Sequence, residues 1–188
     1  ASPAPEVAWD LDLLRMRCDY HAALRANRDA SQGARLSAWA DRLRTTAPDQ
    51  GRFGWAAFFG GVIADNLLTD PEAAGELYRR ALEAAETASD PLLESYALRH
   101  LGDHSHTAGD LAAARRAWVR STSLRDRVGF VPGAMAQRLA LAELLLAEGD
   151  RAGAAALAAD VGRTIEALGI TGWLPGNVAD LLERAKPG

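Results

Sequence analysis

Three segments of this chain restate one another at a constant offset of 40 residues, and that register limits its fold more than any other feature. They begin Asp70-Pro71-Glu72-Ala73-Ala74, Asp110-Leu111-Ala112-Ala113-Ala114 and Asp150-Arg151-Ala152-Gly153-Ala154. Four residues after the last alanine of each stands Tyr78, Trp118 or Ala158, and just before each aspartate stands Thr69, Gly109 or Gly149. Glycine enters the left-handed conformation that ends a helix at little cost, and the next aspartate can accept from the free amides that open another. Asp70-Pro71 and Asp90-Pro91 place proline at the first helical position, where the N–H it lacks has no helical partner to lose. Each 40-residue unit therefore reads as two antiparallel helices joined by a tight turn.

Composition agrees with a helical array. Alanine and leucine supply 40 and 26 of the 188 residues, while β-branched and aromatic residues are sparse, which argues against a sheet. The pattern predicts helices at 5–28, 31–46, 52–68, 71–88, 91–108, 111–127, 132–148, 151–168 and 177–185. These form four pairs (5–46, 52–88, 91–127 and 132–168) and a capping helix within a single domain over 1–188. The first pair lacks the register, although Trp39 stands near the Tyr78 and Trp118 position. Leu174-Pro175-Gly176-Asn177 reads as a turn that hands over to an N-cap, and Asp180, Glu183, Arg184 and Lys186 give the last helix a polar outer face. Gly60-Gly61 inside the third helix costs about 1 kcal/mol per residue relative to alanine, which predicts a close helix crossing there.

Leu101-Gly102, Gly109, Ala114 and Trp118, set in a helix–turn–helix unit, resemble the tetratricopeptide repeat. The resemblance is strongest over 91–127, extends over 52–88 and 132–168, and fades before 50; Leu98 and Ser105 stand where the signature has Trp and Tyr. The 40-residue period is similar to that of repeat arrays in actinobacterial transcriptional regulators, where the array senses or binds something for a separate DNA-binding domain. The resemblance implies an all-α, right-handed superhelix whose concave face is lined by the first helix of each pair. The contact positions it implies are Phe59, Ile63 and Asn66, then Arg99, Asp103 and His106, then Leu139, Glu143 and Leu146. Each trio also falls at i, i+4 and i+7, on one helical stripe. A groove apolar at both ends and polar at its centre suits a peptide or protein segment, as part of a bacterial regulatory system.

Two other readings stand beside that groove. One is a closed pocket for a small molecule, as a sensor or enzyme, walled by Trp55, Phe59, Tyr96 and Trp173 with Asp103 and His106 as its polar groups. The other is self-association as a homodimer through helix 132–148, which Leu139, Leu141, Leu144, Leu145 and Leu146 make apolar almost all round unless Trp173 and its segment cover it. Trp55, Phe58 and Phe59 also fit a plain core between the first two pairs.

Several chemistries lack their residues. A net charge of −4 gives no footprint for direct nucleic-acid binding, and no run is long and apolar enough for a membrane span. His100 and His104 are one turn apart and could chelate together, but His106 lies about 200° around the axis from His104, so no metal or other cofactor is expected. A His106–Asp103 contact could orient an imidazole, yet no nucleophile, phosphate loop or paired-histidine motif accompanies it. Capture of a peptide carboxylate by Lys and Asn would have Asn27 and Asn66, but the sole lysine, Lys186, is in the tail. The single cysteine, Cys18, reads as a packing residue. Twenty of the 21 basic residues are arginine, a hint of a GC-rich bacterium, and the absence of an apolar leader predicts a cytoplasmic chain. Loss of a secretory signal or excision from a larger polypeptide would fit the Ala1-Ser2-Pro3 start as well.

Overall fold

The computed structural model describes residues 4–26 and 30–186; the expected end of the first helix, with Asn27, lies outside the described residues. Among the described residues the chain is all-helical, without a strand. The described residues form nine α-helices in order: α1 (Pro5–Arg25), α2 (Ala30–Thr45), α3 (Gln50–Ile63), α4 (Pro71–Ala88), α5 (Pro91–Thr107), α6 (Leu111–Arg127), α7 (Val131–Ala147), α8 (Arg151–Ala167) and α9 (Leu174–Arg184). The chain divides into two compact units between His104 and Ser105, inside α5. In the first unit α1 packs on α2, α2 on α3 and α3 on α4; in the second α6 packs on α7, α7 on α8 and α8 on α9.

The junctions follow from local chemistry. Asp49, Asp70, Asp110 and Asp150 accept from the amides of Arg52, Ala73, Ala113 and Gly153, each three residues on, and Asp90 Oδ1 accepts from those of Leu92 and Leu93. Left-handed residues recur every 20 positions, at Thr69, Ser89, Gly109, Gly129, Gly149 and Gly169, so both turns of the repeat share one device. After five of them the next amide reaches five residues back, as in Asp110 N–H to Ser105 O at 2.9 Å and Ile170 N–H to Ile165 O at 2.8 Å, which satisfies carbonyls the helix end would orphan. Asp150→Ala should therefore cost about 1 kcal/mol. A lower urea midpoint with an unchanged slope checks it, and an unchanged midpoint would show that the cap is replaceable by water.

Two helix ends depart from the expected pattern. Helix 52–68 is α3 followed by a π-helical turn, Ala64–Leu68, which closes with the Asp70 amide on the Ala64 carbonyl at 3.0 Å. A widened turn rotates the residues it contains out of the α-helical stripe, here Asp65 and Asn66. At the other end Leu174-Pro175-Gly176-Asn177 is the first turn of α9 rather than a turn before it. Proline lacks an amide needing a partner, and its fixed φ suits a helix start, so Pro175 joins the helix instead of delaying it.

The core of the first unit gathers Leu13, Met16 and Tyr20 of α1, Leu36 and Leu43 of α2, Phe58, Phe59 and Ile63 of α3, Tyr78 of α4, and Leu93 and Ala97 of α5. Trp9 anchors α1 by donating its indole N–H to the Leu43 carbonyl at 3.0 Å. The close crossing expected at Gly60-Gly61 centres on Gly61: a Cβ there would sit 2.6 Å from the ring of Tyr78. In the second unit Met135, Leu139 and Ala142 of α7 pack with Val161 and Ile165 of α8 and Leu174, Val178 and Leu181 of α9. These last three lie at i, i+4 and i+7, one apolar stripe of α9 that turns onto this core. The apolar character of helix 132–148 thus has partners inside its own unit, while Trp173 stays 60% exposed. Cys18 is a second correction: it is an exposed free thiol, because the buried stripe of α1 runs through Trp9, Leu13, Met16 and Tyr20 and passes it by.

Candidate functional site

Where α1, α3 and α5 of the first unit converge, their side chains leave a pocket of about 390 Å³. Helix α1 contributes Arg17, Tyr20 and His21; α3 contributes Trp55, Phe58, Phe59 and Val62; the π-helical turn contributes Asn66; and α5 contributes Leu92, Tyr96 and His100. On α1 these residues fall at i, i+3 and i+4, on α3 at i, i+3, i+4 and i+7, and on α5 at i, i+4 and i+8, spacings that bring side chains onto one face. Five of the eleven are aromatic residues in edge and stacked contact. Trp55 lies over Phe59 at 6.3 Å with the ring planes inclined by 27°, and edge-on to Tyr96 at 5.9 Å, and Tyr20 meets Phe59 at 6.5 Å.

Polar bonds fix the wall. Asp90 spends one carboxylate oxygen on the α5 cap and the other on the Trp55 indole N–H at 2.9 Å, which locks the indole against the start of that helix. Asn66, turned by the π-helical geometry, donates its side-chain amide to the Tyr20 hydroxyl at 2.9 Å. The half-buried Arg17 holds its guanidinium 5.0 Å from the centre of the Phe59 ring. No Asp or Glu lines the pocket.

Behind the pocket sits a second layer. Tyr78 is fully buried, stacks on His100 at 4.7 Å and 21°, and donates its hydroxyl to Asp65 at 2.8 Å. The His104 ring nitrogen lies 3.0 and 3.1 Å from the two oxygens of that same carboxylate. Burial, and then the Asp65 carboxylate, push the Tyr78 phenol well above its ordinary value. His100 and His104, the pair that one helical turn would allow to chelate, thus face Tyr78 and Asp65, and among the described residues no group of three or more potential ligands gathers at a metal site. A cleft of similar size between the start of α1 and the end of α2 has a single aromatic wall, Trp9, whose N–H is already spent on Leu43.

No family model matches this chain, and no curated protein matches it.

The residues expected to form one contact surface are distributed differently. Phe59, Asn66 and Tyr96 line the pocket. Ile63, fully buried, belongs to the core of the first unit, and Leu139, 4% exposed, to that of the second, with Leu146 packed partly buried against it. Arg99 and Asp103 form a salt bridge with each other. In the second unit His106 is exposed and tilts against Trp118 at 5.4 Å, and exposed Glu143 pairs with Arg184. Sequence reasoning passed over Arg17, Tyr20, His21, Val62 and Leu92. Those on α1 lie outside the 40-residue register, although their i, i+3, i+4 spacing was a signal that they share a face.

Proposed function

We propose that this chain is a ligand-binding helical-repeat module, its helix pairs stacked in the manner of tetratricopeptide repeats, that takes a small planar apolar molecule in the pocket between α1, α3 and α5. The observation that carries this reading is the aromatic wall: Tyr20, Trp55, Phe58, Phe59 and Tyr96 around about 390 Å³, a size within the range of small-molecule sites. Trp55 and Tyr20, already held by Asp90 and Asn66, lose little further freedom when a flat ligand packs against them. The peptide-groove reading draws less support, because its intended polar centre, Arg99 and Asp103, is self-paired.

Binding of naphthylmethanol, a neutral bicyclic probe, tests the pocket. The expected result is saturable binding with a chemical-shift change at the Trp55 indole N–H, whose bond to Asp90 gives it a distinct resonance. Leu92→Trp, which adds bulk to the α5 side of the lining, should weaken that binding by at least about tenfold, the equivalent of ~1.4 kcal/mol, without loss of helicity. Equal binding by wild type and Leu92→Trp would remove the reading.

A further inference from the structure

The charge pattern of the pocket goes a step beyond its aromatic character, and rests on the reading just given. Of its eleven lining residues one carries a permanent charge, Arg17, and none is acidic. Several arginines of this unit sit against carboxylates: Arg52 bonds both Asp10 and Asp49, Arg35 bonds Asp19, and Arg79 and Arg80 share Glu76. Among the described residues no carboxylate pairs with Arg17, whose guanidinium instead lies over the face of Phe59 at the pocket wall. Other polar groups facing the space include the His21 imidazole and the amide of Asn66, which keeps a second N–H beyond its bond to Tyr20.

We propose that the ligand is an aryl carboxylate, its ring packed against Trp55, Phe59 and Tyr96 and its carboxylate received by Arg17. A guanidinium presents a planar fork that matches a carboxylate with two parallel N–H bonds, and its contact with the face of Phe59 keeps the group at the pocket wall before the ligand arrives. A cage of aromatic rings by itself would suit a cation. Here the guanidinium already occupies the face of Phe59, and a second cation would meet it with no acidic residue in the lining to offset the repulsion. The ligand therefore supplies the missing negative charge.

Calorimetric titration of the full 188-residue chain with three probes of one ring system tests this: naphthoate, naphthylmethanol and naphthylmethylammonium. Naphthoate should bind about tenfold or more tighter than the alcohol, the effect of one charge-assisted bond pair, and the ammonium should bind most weakly. Arg17→Gln should erase the preference for naphthoate, read as the ratio of the carboxylate and alcohol affinities in the same variant, and Arg17→Lys should recover part of that ratio, since charge returns without the fork. Helicity of both variants should match wild type and the urea midpoint should shift only slightly, because Arg17 holds no structural ion pair among the described residues and the variants give up only its contact with Phe59. If alcohol and carboxylate bind equally, if the ammonium binds best, or if Arg17→Gln keeps the preference, the carboxylate proposal falls while the pocket stands. If none of the three probes binds, both fall.

Discussion

Gly61→Ala should destabilise the chain by about 2 kcal/mol, although alanine is the better helix former by about 1 kcal/mol. The added methyl would lie 2.6, 2.7 and 3.2 Å from three ring carbons of Tyr78. A flexible side chain could step aside, but this ring has nowhere to go. It is fully buried, its hydroxyl is tied to Asp65, and its face is stacked on His100. Relief has to come from parting α3 and α4, which opens voids along the whole crossing. Gly60→Ala is the internal control. Its Cβ would meet the methyl groups of half-buried Leu77, the nearer at 3.3 Å, and these can rotate, so the gain in helix propensity should survive. The two variants are thus expected to move in opposite directions in urea denaturation followed by circular dichroism. A wild-type midpoint for Gly61→Ala would show that the ring of Tyr78 is not held where its bonds suggest.

Asp65→Ala should cost about 2–3 kcal/mol, because it strands the buried Tyr78 hydroxyl without an acceptor and takes away the partner of His104. Tyr78→Phe alone should cost about 1 kcal/mol, the net worth of one such bond. In the double variant the stranded hydroxyl is gone, so its cost should fall well below the sum of the two, and a double-mutant cycle measures the difference. Full additivity would mean that the two side chains are not coupled. The same phenol makes a prediction in alkali. Its folded pKa is raised above the ordinary value of 10.0, so the stability it contributes is fully present below about pH 10 and is lost as pH rises beyond it. There the unfolded phenol gives up its proton while the folded one keeps it, a loss of about 1.4 kcal/mol per pH unit. Tyr78→Phe should flatten that slope above pH 10, and an identical slope in the variant would show that the phenol ionises without unfolding.

The aromatic wall of the pocket was half legible in the order of residues. Trp55, Phe59 and Tyr96 stand out as large rings in the sequence, and all three line the pocket between α1, α3 and α5. Trp173, Asp103 and His106, assigned to that same pocket, lie elsewhere: Trp173 is exposed at the start of α9, Asp103 pairs with Arg99, and His106 rests on Trp118. Amphipathic spacing shows which residues share a stripe of one helix, but the partner that stripe faces is chosen by how neighbouring helices cross. Hence Ile63, in register with Phe59 and one turn away, is sealed in the core while Phe59 lines the cavity.

What the sequence determined alone is the helical class, the punctuation and most of the helix boundaries. These rest on contacts between near neighbours: an aspartate three residues before an amide, a left-handed residue every 20 positions, and proline where no amide is needed. What only the tertiary structure decided is the site. The bond from Asn66 to Tyr20 spans 46 residues, that from Trp55 to Asp90 spans 35, and that from His104 to Asp65 spans 39. None falls within the reach of one turn, and two of the three depend on a π-helical turn that the local pattern reads as ordinary helix. The close approach of α3 and α4 at Gly61 places Tyr78 beneath Asp65, and the widened turn brings Asn66 to the rim; side-chain packing across the unit, which no short stretch of sequence contains, sets both.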